Sequence, residues 1–243
     1  MTARLDVAKV VYGAFMLPWW NRRAFGRALA IPLVLLVTLT LSWYYGGKYL
    51  PKPSNWALCF VWGALFSVFA VTCHRLVLLD AASVASRPVP RWSWRETRFF
   101  YWLVGIWLIC WGAGIAAMTL ILNLAIMAMG PPSDGLFSEA QYLASVPAYY
   151  LFARLSPVFP ATAIDRTVNL RWAWRLTQGN GWRLFLIVAV LPWVISEIVA
   201  LLYRGNATAV ETVVLTFAGS ALFAVEIAAL SLSYRELTRE EGG

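Results

Sequence analysis

The stretch that decides the fold is RTVNLRWAWRLTQGNGWRLF, from Arg166 to Phe185, which lies between two apolar runs. Asn169 is placed to cap the start of a short helix, and Gly179 is placed to end it. The predicted helix is amphipathic. Its polar face carries Arg171, Arg175 and Gln178, and the rest carries Leu170, Trp172, Ala173, Trp174 and Leu176. Helices of this kind lie in a membrane interface, with arginines toward phosphate and water.

A second copy of this pattern, RPVPRWSWRETRFF, runs from Arg87 to Phe100. Arg75 lies 12 residues before Arg87, and Arg154 lies 12 residues before Arg166. With a single gap after these arginines, RWSWRET aligns with RWAWRLT. The alignment predicts a parallel repeat of helix hairpins, with units at about 56–129 and 139–203. On a shorter match, the last and first apolar segments are candidates for a third unit split by the chain termini.

The composition places the chain in a membrane. Its apolar fraction is 60%, its charged fraction is 13% and its mean hydropathy is +0.65, which one soluble core of this length could not accommodate. A helix needs about 20 apolar residues to cross the hydrocarbon. We therefore predict an all-α polytopic integral membrane protein, one membrane domain over 1–243 that begins with an interfacial segment, 1–27. The six predicted spans are 28–45, 56–75, 99–129, 139–154, 183–203 and 209–234.

The net charge of +8 is distributed asymmetrically. Lys48, Lys52 and Arg204 fall in loops on one side of the predicted spans. The other 17 of the 20 basic residues fall on the opposite side. Positive loops stay cytoplasmic, so both termini are predicted to be inside. The basic excess then predicts anionic lipid as the partner and makes nucleic acid an unnecessary one. The predicted lipid-facing residues are Arg91, Trp92, Trp94, Arg95, Arg171, Trp172, Trp174 and Arg175, which we call the collar.

Residues that could carry chemistry are scarce. His74 is the one histidine, which excludes a bis-histidine haem site or a histidine-based metal cluster within this chain. Cys59, Cys73 and Cys110 fall in or at the ends of spans without a pairing pattern, as small buried apolar residues do. No phosphate-binding loop, dinucleotide fingerprint or nucleophile motif is present. We expect no catalytic residue, no cofactor and no metal site.

Two carboxylates fall deep inside predicted spans, Glu197 and Glu226. An ionised carboxylate in hydrocarbon costs a few kcal/mol or more, so each is expected to be protonated, hydrogen-bonded to a neighbouring span or exposed to a water-filled cavity. A proton-binding or cation-binding role, a contact to a partner's span, and a purely structural hydrogen bond all stay open. Positions equivalent to Glu226 in the two repeat units are Phe66 and Ser145, so the carboxylate is not part of the repeat.

Other polar residues have structural interpretations. Ser93 with Glu96, Ser138 with Gln141, and Thr208 with Glu211 have capping-box spacing and are predicted to open the third, fourth and sixth spans. Arg154 matches Arg75 and Arg235, each near the end of a span, and all three are predicted to extend their guanidinium groups to the cytoplasmic interface.

The unit of a span, a basic interfacial helix with AWRLTQGNGWRLF and a second span resembles bacterial six-span membrane proteins of unknown activity. These are related to the membrane domain associated with glycerophosphoryl diester phosphodiesterases. The resemblance rests on 151–185. It implies a multi-pass protein of the bacterial inner membrane, and it implies no phosphodiesterase activity because the soluble catalytic domain of fused relatives is not in this sequence.

Two functions are compatible with these observations. One is a non-enzymatic inner-membrane protein whose basic, Trp-rich cytoplasmic collar organises or stabilises a membrane complex or local anionic lipid. A protein partner or a second copy of the chain is compatible with this function. The alternative is a small transporter or permease of lipid-like or amphiphilic solutes that uses Glu197 and Glu226. An enzyme is not expected, because no polar groups converge in the sequence as a catalytic site requires.

Overall fold

The computed structural model describes residues 4–46, 49, 51–85, 92–129, 134–202 and 209–239. Within these ranges the regular structure is helical throughout, as predicted for an all-α protein. The helices are α1 (Val7–Trp20), α2 (Arg22–Gly46), α3 (Lys52–Leu78), α4 (Ala81–Ala85), α5 (Trp94–Met129), α6 (Asp134–Leu155), α7 (Val158–Ala163), α8 (Leu170–Leu176), α9 (Gly181–Phe185), a π-helical turn (Leu186–Val190), α10 (Leu191–Leu202) and α11 (Ala209–Thr238).

Five helical segments among the described residues are long and apolar enough to cross a bilayer, which makes this a multi-pass membrane protein. They are Arg22–Gly46, Asn55–Leu78, Trp94–Ala128, Gly181–Leu201 and Val210–Thr238. These segments correspond to the first, second, third, fifth and sixth predicted spans. The third, fifth and sixth predicted spans extend slightly past one end of the observed segment. The segment Gly181–Leu201, which corresponds to the fifth predicted span, combines α9, the π turn and α10 into one continuous helix.

The fourth predicted span, 139–154, lies within α6, a helix of 22 residues. This helix packs along α5 as an antiparallel neighbour, but it is not among the segments apolar enough to be counted as a span. Its sequence explains why, since Glu139, Gln141 and Arg154 interrupt the apolar residues. Ser138 lies inside α6, so it does not open the helix as its spacing with Gln141 suggested.

Helices α3 and α11 form the centre of the bundle. Helix α3 packs against α2, α5, α7 and α11, and α11 packs in addition against α1, α2 and α10. Their facing sides carry small and aromatic residues, including Phe69, Ala70, Ala228 and Ala229, all almost completely buried. Small side chains let the two helix backbones approach closely.

Many of the buried residues lie at the end of the bundle that carries Arg75, Arg95, Arg98, Arg154 and Arg183, which we call the basic end. Here the chain between α6 and α8 forms α7. All six residues of α7 are buried. Their sequence, VFPATA, is apolar enough to fill the space between α3, α5 and α11.

Helix α5 is packed differently along its length. Phe99 and Ile106 are buried near its start, whereas Trp107, Trp111 and Leu120 are exposed farther along. Only 6% of its most apolar window is buried inside the protein. Apolar side chains that face outward in this way are expected of a helix whose surroundings are lipid.

The two copies of the Trp- and Arg-rich motif differ in local structure. In the later copy α8 is a separate helix, as predicted, and Asn169 caps it by accepting a hydrogen bond from the Trp172 amide. In the earlier copy Trp94 starts α5, which continues without a break into the third span. Ser93 and Glu96 cap this helix, with the Ser93 amide donating to Glu96 Oε2 at 2.8 Å. That capping box is confirmed, whereas Thr208 lies outside the described residues.

Candidate functional site

Helix α8 is fastened to α6 by Arg154. The guanidinium group donates from Nε to Thr177 Oγ1 at 2.7 Å and from Nη2 to the Trp174 carbonyl at 2.6 Å. It also lies over the Trp174 ring, 4.0 Å from the centroid. The Trp174 carbonyl belongs to the last turn of α8, where carbonyls lack helical partners. Arg154 therefore satisfies the end of α8 while attaching it to the bundle.

This arrangement modifies the expectation for Arg154. Arg154 lies in the last turn of α6, and it is only 8% exposed because α8 covers it. Arg75, its repeat counterpart, is more accessible and donates to the Ala163 carbonyl at 3.1 Å. Arg235, the third member of the set, is exposed. Three arginines at equivalent sequence positions thus occupy three different environments.

The turn after α8 depends on two glycines. Gly179 has a φ of 80°, a conformation that residues with a Cβ rarely adopt. Gly181 starts α9 beneath Arg154 and Tyr150. A Cβ added there would lie 2.7 Å from Tyr150 Oη and 2.9 Å from Arg154 Cδ. The first glycine allows the turn, and the second allows α9 to approach α6 closely.

Asn180, between these glycines, connects the turn to the N-terminal segment. Its side chain is 1% exposed, and Oδ1 accepts a hydrogen bond from the Leu5 amide at 2.9 Å. Arg183 Nη1 donates to the Leu5 carbonyl at 3.1 Å. Both polar groups of Leu5 are therefore held by the same turn, immediately before Asp6 caps α1.

A second cluster at the basic end is centred on Asp165. Its carboxylate lies 3.5 Å from Arg75, 3.0 Å from Arg95 and 3.6 Å from Arg98. Arg95 also contacts Glu96 at 3.2 Å. One acidic side chain thus joins the end of α3 to the start of α5, and it partly neutralises three arginines, of which Arg95 is a collar residue.

The backbone at Asp165 is unusual for a residue with a side chain. Its φ is 64°, and it follows α7 at the position where a helix often ends in glycine. The Asp165 amide bonds to Thr162 and the Arg166 amide bonds to Ala161, both at 3.0 Å. This is the Schellman pattern of a helix end. A left-handed aspartate costs of order 1 kcal/mol, and its three arginine contacts offset that cost.

The predicted collar residues separate into outward and inward groups. Trp92, Trp94, Arg171, Trp174 and Arg175 are exposed. Arg95 turns toward Asp165 and Glu96, and Trp172 is partly buried against Tyr234 with ring centroids 6.3 Å apart. Arg91 lies outside the described residues. The outward members include two arginines of α8 that form no ion pair with a described residue within 4.0 Å.

The intramembrane carboxylates are separated by the fold. Glu197 is exposed on α10, beside exposed Val194 and Ile198. Glu226 is partly buried and lines a cavity of about 110 Å³ whose wall is formed by α3, α5, α6, α7, α10 and α11 together with the π turn. The sequence paired the two residues by depth alone, and the structure brings only Glu226 to the cavity.

The cavity wall is mainly aromatic, with Phe66, Phe99, Phe152 and Phe159 among its residues. His74 also lines it, and its Nδ1 lies 2.7 Å from Ser231 Oγ. Ser231 Oγ in turn donates to the Ile227 carbonyl at 2.8 Å. Within the described ranges no group of three or more histidine, cysteine or acidic residues could hold a metal ion.

Sequence reasoning missed Asp165, Thr177 and Asn180 as organising residues. Asp165 had one local signal, an acid surrounded by basic residues in the connection after α7. Asn180 had another, its position between two glycines. No family model, curated protein or solved structure matches the chain, so the family resemblance stays an expectation.

Proposed function

We propose that this protein is a non-enzymatic integral membrane protein that organises anionic lipid, or a membrane complex that needs such lipid, through the outward part of its collar. The observation that carries the proposal is that Arg171 and Arg175 are exposed on α8, while Arg154 holds the end of this helix against α6 through its hydrogen bonds to Thr177 and Trp174. Their neighbours Trp174 and Trp182 are also exposed. Paired cations and indole rings match the phosphate and carbonyl level of a bilayer.

Anchoring supports the proposal because it lowers the cost of binding. Arg154 and the Thr177–Gly181 turn fix the position of α8, so the arginines do not have to order their backbone when they meet a headgroup. The contrast with Arg75, Arg95 and Arg98 also supports it. Asp165 contacts those three arginines, whereas the two arginines of α8 keep their charge available.

The membrane arrangement we propose has six spans, with α6 as the fourth, and both termini in the cytoplasm of a bacterial cell at its inner membrane. The packing of α6 along α5 supports a hairpin. The contacts that gather Leu5, Asp165, Arg183 and Glu236 at the basic end support a common side for the termini and the two motif copies. We further propose that α3 to α5 and α6 to α10 are repeat units, and that α1 and α8 lie in the interface.

Lipid preference tests this function. The full chain is purified into nanodiscs that contain phosphatidylcholine with increasing phosphatidylglycerol, and retained lipids are counted by native mass spectrometry. Each arginine near an anionic surface contributes about 1 kcal/mol, so replacing Arg171 and Arg175 by Gln is expected to reduce phosphatidylglycerol retention severalfold. Lys52→Gln, on the opposite predicted side, is the matched control. Equal retention of the two lipids by the unaltered protein would reject the proposal.

Orientation has its own test. A single cysteine at exposed Gln178, in a chain whose native cysteines are replaced by alanine, is treated with a membrane-impermeant maleimide. The cysteine at position 178 is expected to be labelled in inside-out vesicles and to stay unlabelled in right-side-out vesicles. Labelling from the outer side contradicts the proposed topology but leaves the lipid preference to be judged by its own experiment.

Transport is the second candidate, and the cavity at Glu226 is the observation that favours it. The version in which Glu197 and Glu226 act together has less support, because Glu197 is exposed on the outer side of α10. Solute flux in proteoliposomes across a pH gradient distinguishes the two functions. A flux that Glu226→Gln abolishes supports transport, and an absence of flux in the presence of lipid preference supports the collar.

A further inference from the structure

The cavity beside Glu226 has a shape and a wall that define a class of ligand. Helix α3 contributes Phe66, Ala70 and His74, which follow one another every four residues on the same face. Helix α11 contributes Glu226, together with Ile227 and Leu230. The volume, about 110 Å³, is somewhat smaller than the ~150 Å³ of an apolar protein cavity that binds benzene. A single ring or a short branched chain is therefore an apolar group of a size that fits.

One wall of the cavity is irregular for a reason visible in the sequence. Pro192 has no amide hydrogen, so the Val188 carbonyl loses the donor that an α-helix would supply. The helix widens just before the proline into the π turn Leu186–Val190, where the Leu191 amide bonds to the Leu186 carbonyl. Val188 and Pro192 both line the cavity. Single π turns within α-helices occur frequently at functional sites.

Glu226, on α11, is the acidic side chain that lines the cavity. The Glu226 carboxylate forms no hydrogen bond or ion pair with another described residue. Its surroundings are four phenylalanines and aliphatic side chains. Aromatic faces attract cations, and an unpaired carboxylate in an apolar environment gains most from a cationic partner. The basic residues of the bundle end are engaged elsewhere, with Arg154 at Thr177 and Arg75 at Asp165.

His74 adds a second polar atom. Its Nδ1 is engaged with Ser231, which also bonds to the Ile227 carbonyl. The imidazole orientation is therefore fixed, with its other nitrogen not bonded to a described residue. A ligand with more than one N–H group could use both this nitrogen and the Glu226 carboxylate.

We propose that this cavity is a binding site for a small organic cation with a compact apolar body, such as a protonated primary amine. The ammonium group contacts Glu226, and the apolar body packs against the phenylalanine rings. This site is separate from the collar, so its existence does not depend on the proposed lipid function.

The test uses the full chain in phosphatidylcholine nanodiscs at neutral pH, so that anionic lipid does not attract the probe. Cyclohexylammonium is the cationic probe, and cyclohexanol is the neutral probe of similar shape. Binding is measured by saturation-transfer NMR titration, with empty nanodiscs subtracted. The unaltered protein is expected to bind the cation at least tenfold more tightly than the alcohol. A preference below threefold, or no saturable binding of the cation, overturns the proposal.

Three variants locate the site. Glu226→Gln is expected to weaken cation binding at least tenfold and to leave alcohol binding unchanged. Ala70→Leu fills the cavity between Phe66 and His74 and is expected to remove binding of both probes. Glu197→Gln, which removes the exposed carboxylate of α10, is the matched control and is expected to behave as the unaltered protein. Unchanged cation binding in Glu226→Gln overturns the site. If that variant does not fold, the preference of the unaltered protein decides.

Discussion

Asn180 Oδ1 accepts a hydrogen bond from the amide of Leu5 at 2.9 Å, although the two residues are 175 positions apart in the chain. The bond is buried, and Arg183 completes it by holding the Leu5 carbonyl. The GNG turn therefore holds the start of the chain through Leu5, in addition to the packing of α1 on α11.

Replacing Asn180 by Ala leaves the Leu5 amide without its acceptor in a buried position. An unsatisfied buried donor costs about 1–3 kcal/mol, and we expect the free energy of unfolding to fall by that amount. Hydrogen exchange by mass spectrometry should show faster exchange in the first turns of α1. Gln178→Ala, an exposed change in the same turn, should leave both measurements unchanged. Equal exchange in the two variants would contradict the attachment.

Arg154→Lys tests how α8 is held. Lysine keeps the charge but cannot reach Thr177 and the Trp174 carbonyl together from a planar group, nor stack on the Trp174 ring in the same way. We expect a loss of about 1–3 kcal/mol in the free energy of unfolding and faster proteolysis between α8 and α9. Arg235→Lys, at the exposed end of α11, is the control. The idea fails if both substitutions have the same effect.

Gly181→Ala tests the close approach of α9 and α6. The new methyl group would lie 2.7 Å from Tyr150 Oη, and overpacking of this kind typically costs about 1–3 kcal/mol. Tyr150→Phe removes that oxygen together with its hydrogen bond from Arg154 Nη1, so Gly181→Ala should cost less in the Tyr150→Phe background than in the unaltered protein, and some cost should stay because of the Arg154 contact at 2.9 Å. Gly105→Ala meets no atom within 4 Å and should be tolerated. Denaturation of the purified variants in mixed micelles measures all three.

Asp165→Asn separates charge from backbone conformation, since asparagine also tolerates a positive φ. Asp165 is about half exposed, so we expect a loss of only about 1 kcal/mol in the free energy of unfolding at low salt. The difference from the unaltered protein should shrink in 1 M NaCl, where the screening length is about 3 Å. Glu236→Gln removes the exposed pair with Lys9 and should change stability by about 0.3 kcal/mol. A salt-independent difference at Asp165 would assign its effect to packing.

Local features were accessible from the sequence because they depend on neighbouring residues. Asn169 caps α8 as the pattern predicted, whereas the helix ends at Leu176 with Thr177 as its C-cap, and Gly179 adopts its positive φ in the turn that follows. Hydropathy likewise located the five helical segments that are long and apolar enough to cross a bilayer. These features follow from backbone conformation and average polarity, which a short window of sequence determines.

Long-range features were not accessible in the same way. Asp165 contacts Arg75 and Arg95, which lie 90 and 70 residues away, and nothing in the spacing selects these partners. The burial of Val158 to Ala163 is likewise not indicated by any local pattern in the sequence. Only the arrangement of α3, α5 and α11 around this segment shows that it fills a space inside the bundle.

The uneven packing of the bundle has a mechanical consequence. Helices gathered around Asp165 and α7 are joined by ion pairs and close contacts, whereas the apolar window of α5 is only 6% buried within the protein. A bilayer thicker or thinner than the spans imposes a mismatch that helices relieve by tilting. That tilt will be taken up away from the ion pairs, so membranes of different thickness will move the far end of α5 together with α6, against which it packs, and leave the arginine cluster undisturbed.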